Sequence, residues 1–332
     1  MLNTDVRLEW LVSFLAVVET GGFSSAAEAT HRSQPRVSMH VASLERAVGV
    51  PVLDRRKRPS EVTPAGAALL RHARSILREV ELAEAEMSSF RGGARGVVNF
   101  GAYPSASAAF MPQVLRDLAE SEPDITVSLV ETDTLELDSA LLRGEIDLCL
   151  RPVTPRPTQG AIRTRPLWRE RLVAVIPEGD LLAAEDKPLD VADIAHRDLI
   201  SIGRLESDVP PSFEAYQLFR DEGYELNPVQ ATNQPQSLVS MVRAGLGIGL
   251  TNALAAQISD LSGVKVRELN GPHERVVAVC WNADAVLSPA ARTVLTALAQ
   301  APAPVGTRPV DRSRPGVRQV IAPPRRIHPA SE

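Results

Sequence analysis

Apolar positions near the start of the chain recur at spacings of three and four. Leu8, Leu11, Val12, Leu15 and Val18 form one stripe of an amphipathic helix, which Gly21-Gly22 stops. A short helix follows, opened by a serine cap at Ser24 or Ser25, and its Ala26-Ala27 pair is small enough for another helix to approach closely. After a polar turn at 31–33, Gln34-Pro35 opens a third helix, with proline in the first turn where its missing N–H costs little. Val37, Val41, Leu44 and Val48 give that helix a buried face, and Gly49 ends it. Two short helices joined by a tight turn make a helix-turn-helix.

Residues 65–91 contain no proline, and no glycine after Gly66. Leu69, Ala73, Ile76, Val80, Ala83, Met87 and Phe90 alternate at spacings of four and three, a heptad seam held for three repeats. A helix of about 27 residues reaches ~40 Å. It cannot bury such a seam alone, so pairing with a second copy is expected, with packing onto the chain's own body as the alternative. Arg91-Gly92-Gly93-Ala94-Arg95-Gly96 reads as a flexible hinge.

From Val97 the pattern changes to short apolar runs alternating with helical stretches. Strands are predicted at 97–101, 125–130, 146–150, 172–176, 199–202, 248–250 and 276–280, and helices near 107–120, 134–143, 211–222, 235–244 and 288–299. Such alternation implies α/β layers with parallel sheet. The Pro- and charge-rich stretch at 151–171 and the late strand predict a chain that crosses into a second lobe and returns. Residues 301–332, with seven prolines and six arginines, read as a disordered tail.

Composition narrows the class. Aromatic residues make up only 4% of the 332, so the cores are mostly aliphatic. Two cysteines exclude a disulfide scaffold and a four-thiolate zinc site. Cys149 and Cys280 fall inside apolar strand runs and read as core residues. No apolar run reaches transmembrane length, and the charged start lacks a signal-peptide pattern, so no membrane role and a cytoplasmic location are expected. The net charge of −5 hides a gradient: residues 1–96 carry +2, residues 97–300 carry −11 and residues 301–332 carry +4. Residues 31–58 alone hold seven basic groups against Glu45 and Asp54, a footprint suited to nucleic acid. Arginine outnumbers lysine 33 to 3 overall, so arginine abundance by itself says little about phosphate recognition.

The start of the third helix carries the candidate chemistry. A helix N-terminus and its first exposed polar side chains enter a major groove together. Arg36 can donate two bonds to guanine, and Gln34 can pair with adenine. At this point the sequence resembles a known family. Phe23-Ser24-Ser25-Ala26-Ala27-Glu28, Ser33-Gln34-Pro35-Arg36-Val37-Ser38, Leu44-Glu45, Gly49-Val50-Pro51-Val52-Leu53-Asp54-Arg55 and Val62-Thr63-Pro64-Ala65-Gly66 resemble, in register, the winged helix-turn-helix of LysR-type transcriptional regulators. Gly144-Glu145-Ile146-Asp147-Leu148 and the segment from Arg243 to Gly249 match recurring family segments. The resemblance covers residues 5–300. It departs at Arg36, usually a small residue, at Met39-His40, commonly basic or polar, and at Pro59 and Glu61 in the wing.

The resemblance implies an α+β multidomain chain. A winged helix-turn-helix domain (1–66) precedes a dimerising linker helix and hinge (67–96). A two-lobed α/β effector domain similar to periplasmic binding proteins follows, with lobe I at 97–168 and 269–300 and lobe II at 169–268. The implied DNA-binding residues are Ser33, Gln34, Pro35, Arg36, Ser38, Met39 and His40, with Arg55 and Arg58 at the wing. Implied partners are double-stranded DNA, a small-molecule effector, RNA polymerase and further copies of the chain, as a homodimer or homotetramer.

Ligands in open α/β sheets settle at the carboxyl ends of strands. Four such places are expected to converge: Ser105 and Ser107 after the first strand, Arg151 after the third, Gly203-Arg204, and Thr232-Asn233. A small anionic molecule, a carboxylate, is the expected ligand, with the serines donating and Arg151 or Arg204 neutralising charge. No cofactor is expected. Gly245-Leu246-Gly247-Ile248-Gly249 lacks the strand–glycine–helix order of a dinucleotide loop, and the six histidines show no metal spacing. The competing reading is a cytoplasmic small-molecule-binding protein or enzyme whose first helices serve only assembly, but no nucleophile or acid/base pair presents itself.

Overall fold

The computed structural model describes residues 6–54, 57, 60–89, 94–155, 161–184, 187–203, 213–271 and 273–310. The chain divides into two compact units, one built on residues up to Arg95 and the other on residues from Gly96.

The first unit contains α1 (Leu8–Thr20), α2 (Phe23–Ala29), α3 (Gln34–Val48), a two-stranded antiparallel wing of β1 (Leu53–Asp54) and β2 (Glu61–Val62), and α4 (Pro64–Ser89). Gly21 and Gly49 close α1 and α3 in left-handed backbone that any side chain would strain. The cap of α2 is Gly22, not a serine, because Phe23 belongs to the helix and packs against the core. That core gathers Leu11, Phe14, Val17, Ala26, Ala27, Val37, Val41, Leu44, Val52, Leu53 and Ala73. Burying each of the larger side chains is worth about 1.5–3 kcal/mol.

The Val62–Gly66 segment has a local explanation. The Thr63 hydroxyl donates to the Pro51 carbonyl at 2.8 Å and accepts from the Gly66 N–H at 2.9 Å, capping α4. A Cβ on Gly66 would lie 2.0 Å from the Val52 carbonyl oxygen, so only glycine permits this approach. Leu44-Glu45 is similarly anchored: Glu45 accepts from the N–H groups of Val52 and Leu53 at 3.0 and 3.3 Å, tying α3 to the wing.

Along α4 the predicted seam divides. Ala73 is fully buried in the first unit's core, with Leu69 packed beside it, whereas Ile76 and Met87 are exposed. Phe90 and the centre of the expected hinge lie outside the described residues.

The second unit contains β3 (Gly96–Ala102), α5 (Pro104–Ala109), α6 (Met111–Ser121), β4 (Ile125–Glu131), α7 (Thr134–Arg143), β5 (Leu148–Pro152), β6 (Ile162–Pro177), α8 (Val191–Ile194), β7 (Leu199–Ile202), α9 (Glu214–Asp221), β8 (Gln230–Thr232), α10 (Pro235–Arg243), β9 (Ile248–Asn252), α11 (Ala253–Gln257), β10 (Val264–Glu268), β11 (Glu274–Asn282), α12 (Pro289–Gln300) and β12 (Arg308–Pro309). Among the described residues the strands run in the order β4-β3-β5-β11-β6-β9-β7-β8, with β10 and β12 also on β6.

The expected parallel sheet is in fact mixed. β3 pairs in parallel with β4 and β5, and β7 with β8 and β9, but β6, β10, β11 and β12 pair antiparallel. The long β6 spans both lobes. Its first part, Ile162–Arg171, pairs with β11, and Leu172–Pro177 pairs with β9 and β10. The chain returns between β10 and β11. Separate apolar clusters lie around Leu137, Leu141 and Ile146 on one side and around Phe219, Ile248 and Leu250 on the other.

The expected tail begins later than its composition predicts. Residues 301–310 are ordered: Arg308 and Pro309 pair with Arg169 and Trp168, and Val310 is buried. Trp168 is large and apolar, and this short strand covers it. The rest of the expected tail, from 311, lies outside the described residues. The glycine run behaves as expected, with α10 before it and β9 after it; a Cβ on Gly247 would lie 2.4 Å from the Asp198 carbonyl oxygen, and its φ of +149° suits glycine.

Candidate functional site

The first candidate surface is the start of α3. Ser33, Gln34, Pro35, Arg36 and Met39 are exposed and Ser38 is half-buried. Ser33 occupies the cap position without using its hydroxyl as a cap, so that hydroxyl remains available. Among the described residues, the acidic group Arg36 approaches is Glu9, at 3.7 Å, with the Arg36 side chain 55% exposed. Arg55 and Arg58 lie outside the described residues.

His40 does not belong to this surface. It is 2% exposed and faces the interior. Its Nδ1 lies 2.8 Å from Ser13 Oγ and its Nε2 lies 4.0 Å from a Glu9 carboxylate oxygen. Arg32 donates to Ser13 Oγ at 3.1 Å and to the Glu9 carbonyl at 3.3 Å. Ser13 thus sits between the Arg32 guanidinium and the His40 ring, while the other ring nitrogen faces Glu9. Burial lowers the His40 pKa, opposed by Glu9 and assisted by Arg32 and Arg36. His40 is one turn along from Arg36, on the inward-facing side with Val37 and Val41, and this network locks α3 against α1.

The second candidate is a cleft between the lobes, a cavity of about 320 Å³. That volume is at the lower end for small-molecule sites. Of the expected residues, Ser105, Gly203 and Asn233 line it. Ser105 is held there by α5, which Pro104 opens. Ser107, Arg151 and Thr232 do not line it. Arg151 is fully buried and directs Nη1 to both Asp138 oxygens at 2.7 Å, while Nη2 donates to the Pro155 carbonyl. Burial raises the Asp138 pKa against the pull of Arg151, so the pair is structural. Thr232 accepts from the Gln234 N–H at 3.1 Å, closing the turn before α10. Ser107 is buried and its hydroxyl has no partner. Arg204 lies outside the described residues.

Among the described residues, the cation that lines the cleft is Arg275, near the start of β11. Its Nε donates to Glu170 Oε1 at 2.6 Å, and its guanidinium lies 4.9 Å from the Tyr103 ring centroid. Tyr103 donates its own hydroxyl to the same Glu170 oxygen at 3.1 Å. Burial opposes the Arg275 charge, but Glu170, Tyr103 and Glu214 outweigh it and raise the pKa. Burial also pushes the Tyr103 phenol well up, so both proton donors stay protonated. Around this cation the wall carries Glu214, whose Oε1 is buried without a partner, and Thr251 and Asn252, whose Oγ1 and Oδ1 are likewise unpartnered. Leu172, Leu250, Phe213 and Tyr216 supply apolar surface. Periodicity could not reveal this group, because Tyr103, Glu170 and Arg275 come from three separate parts of the chain. The available signal was a charged residue, Arg275, immediately before the apolar run at 276–280.

Cys149 and Cys280 are register partners on β5 and β11, both fully buried. Burial pushes the Cys149 thiol well up, which makes it a poor thiolate. No single helix among the described residues is long and apolar enough to cross a membrane.

Comparison with known proteins agrees with this architecture. Residues 8–67 match the bacterial regulatory helix-turn-helix protein of the lysR family, and residues 91–303 match the LysR substrate binding domain. The chain is 31% identical over 276 residues to the HTH-type transcriptional regulator IlvR of Caulobacter vibrioides, covering 82% of this chain and 90% of that protein. It is 34% identical over 251 residues to the Hca operon transcriptional activator HcaR of Escherichia coli, covering 74% and 81%. Among solved structures, full-length CbnR complexed with its target DNA aligns with a TM-score of 0.65 at 23% identity, over 89% of this chain and 99% of that one. A full-length variant of OxyR from Pseudomonas aeruginosa aligns with a TM-score of 0.67 at 20% identity, over 90% and 99%. The chain therefore belongs to the LysR family of DNA-binding transcriptional regulators with an effector-binding domain.

Proposed function

We propose that this regulator reads duplex DNA with the exposed first turns of α3 and adjusts that contact according to what occupies the cleft between its lobes. The observation that carries the reading is the division of α3 into two faces. Gln34, Arg36 and Met39 point outward, while Val37, His40, Val41 and Leu44 fix the helix to its own domain. A reading helix must be held this way, since base contacts need side chains on a rigid element. Ser33 and the helix N-terminus contact phosphate, and Gln34 and Arg36 contact base edges. The wing contributes Arg55 and Arg58.

The outer part of the α4 seam, Ile76 and Met87, pairs with a second copy, which presents two heads to two half-sites related by a pseudo-twofold axis. CbnR has been solved with its target DNA, and that precedent supports DNA binding. Effector in the cleft biases the arrangement of lobes and subunits to the extent that it binds the two states unequally. That shift alters half-site contact and the approach of RNA polymerase. The regulator works in the cytoplasm, where its DNA is.

The test is a mobility shift of the intact protein on DNA upstream of its own gene. Wild type is expected to retard one segment at low salt in preference to the others. Arg36→Ala is expected to retain retardation but lose that preference. Absence of retardation across all segments contradicts the reading.

A further inference from the structure

The identity of the effector can be narrowed from the cleft wall, and this step rests on the effector-cleft reading above. Arg275 directs its Nε to Glu170 and lies against Tyr103; among the described residues no acceptor other than these reaches its guanidinium. It is therefore a charged donor open to an acceptor. Opposite in character are three buried oxygens that, among the described residues, have nothing to accept from: Glu214 Oε1, Asn252 Oδ1 and Thr251 Oγ1. Thr251 and Asn252 are 2% and 6% exposed, at the end of β9, and Asn252 does not use its side chain to cap α11. Buried acceptors left unmade are costly, so such a group is expected to meet its donor in a bound state.

Charge points the same way. Among the described lining residues Glu214 stands beside Arg275, a cation that Glu170 already neutralises. A plain carboxylate would satisfy Arg275 but leave the buried Glu214 and Asn252 oxygens without a donor. A plain amine would do the reverse and leave the Arg275 donors empty. Apolar Leu172, Leu250, Phe213 and Tyr216 leave room for a hydrocarbon side group.

We infer that the effector is a compact zwitterion, its carboxylate accepting from the Arg275 guanidinium and its ammonium donating to Glu214 and Asn252, with an apolar side chain against Leu172 and Leu250. The carboxylate expected from the sequence is kept, and an amino group is added to it. Amino acids have this chemistry.

The experiment is calorimetric titration of the full-length protein with two matched trios: norleucine, hexanoate and pentylamine, then phenylalanine, hydrocinnamate and phenethylamine. In at least one trio the zwitterion is expected to bind tenfold or more tighter than either truncated partner. Glu214→Gln, nearly isosteric, is expected to erase the preference over the lone carboxylate, whose own binding stays the same or tightens. A lone carboxylate or lone amine binding as tightly as its zwitterion overturns the assignment. So does a preference that survives Glu214→Gln, or silence from all six compounds. Ala255→Trp, and the smaller Ala255→Leu, separate the two levels of the argument. If carboxylates alone bind and these fillings of the cleft block them, the zwitterion falls and the cleft stands. If binding persists unchanged in both folded variants, the cleft reading itself falls.

Discussion

At the scale of single residues, the chemistry turns on which polar groups face in and which face out. Arg36 faces out, so Arg36→Ala should cost about 1–3 kcal/mol on the preferred DNA site and flatten discrimination at one base pair; quantitative shifts on point-substituted sites check this. His40 faces in, and its effect is on stability. Its folded pKa is depressed below the ordinary 6.5, chiefly by burial, so the unfolded chain binds the proton more readily than the folded one. The stability it contributes is present above that value and is lost as pH falls through it. Protection factors of the amides in α1 and α3 should therefore fall as pH drops from 7 to 5, and His40→Gln should remove much of that dependence. Gly66→Ala should destabilise the first domain by about 1–3 kcal/mol, because the added methyl meets the Val52 carbonyl and cannot be accommodated by a rotamer change; chemical denaturation reads it. Arg151 and His40 read as ligand and DNA contacts because sequence alone does not disclose burial. A charged or titratable residue at a plausible chain position is equally consistent with a satisfied interior network, and both belong to one.

At the scale of elements, what was legible is what local physics determines. The start and end of α3 follow from Pro35 and Gly49, and α7, α10 and α12 follow from apolar periodicity within a single segment. The first half of β6 was missed because Arg163, Arg165, Arg169 and Arg171 dominate its composition while, of its apolar residues, Leu167 and Trp168 alone reach deep burial. Its strand character comes from pairing with β11, more than a hundred residues away. The cleft cation was missed for the same reason, since Tyr103, Glu170 and Arg275 meet only when β6 and β11 pair. The heptad seam of α4 was legible as a pattern but not as one surface. Its beginning serves the domain core through Ala73, and its exposed remainder is the part free for a partner. Hence Ile76→Asp with Met87→Asp should convert the dimer to monomer in sedimentation, without unfolding the head. Ala73→Asp should unfold the head, which near-ultraviolet dichroism and denaturation would register.

At the scale of the whole molecule, the two kinds of surface divide the work. A basic, outward-facing helix end suits a polyanion, and a partly apolar cleft holding one guanidinium among carboxylates suits a small molecule. Neither depends on a catalytic group, and the relatives that share this architecture are transcriptional regulators. On the proposed reading, duplication through α4 gives two reading helices in fixed relation, which makes recognition a geometric event as well as a chemical one. The most direct test of this account is the salt dependence of binding to the upstream DNA, with a hydroxyl-radical footprint at the lowest salt. The account predicts two protected half-sites related by pseudo-twofold symmetry. It also predicts an affinity that falls roughly 10³-fold or more between 50 and 200 mM salt, as six or more phosphate contacts require. A strictly monomeric protein that leaves duplex DNA unprotected at 50 mM salt would contradict it.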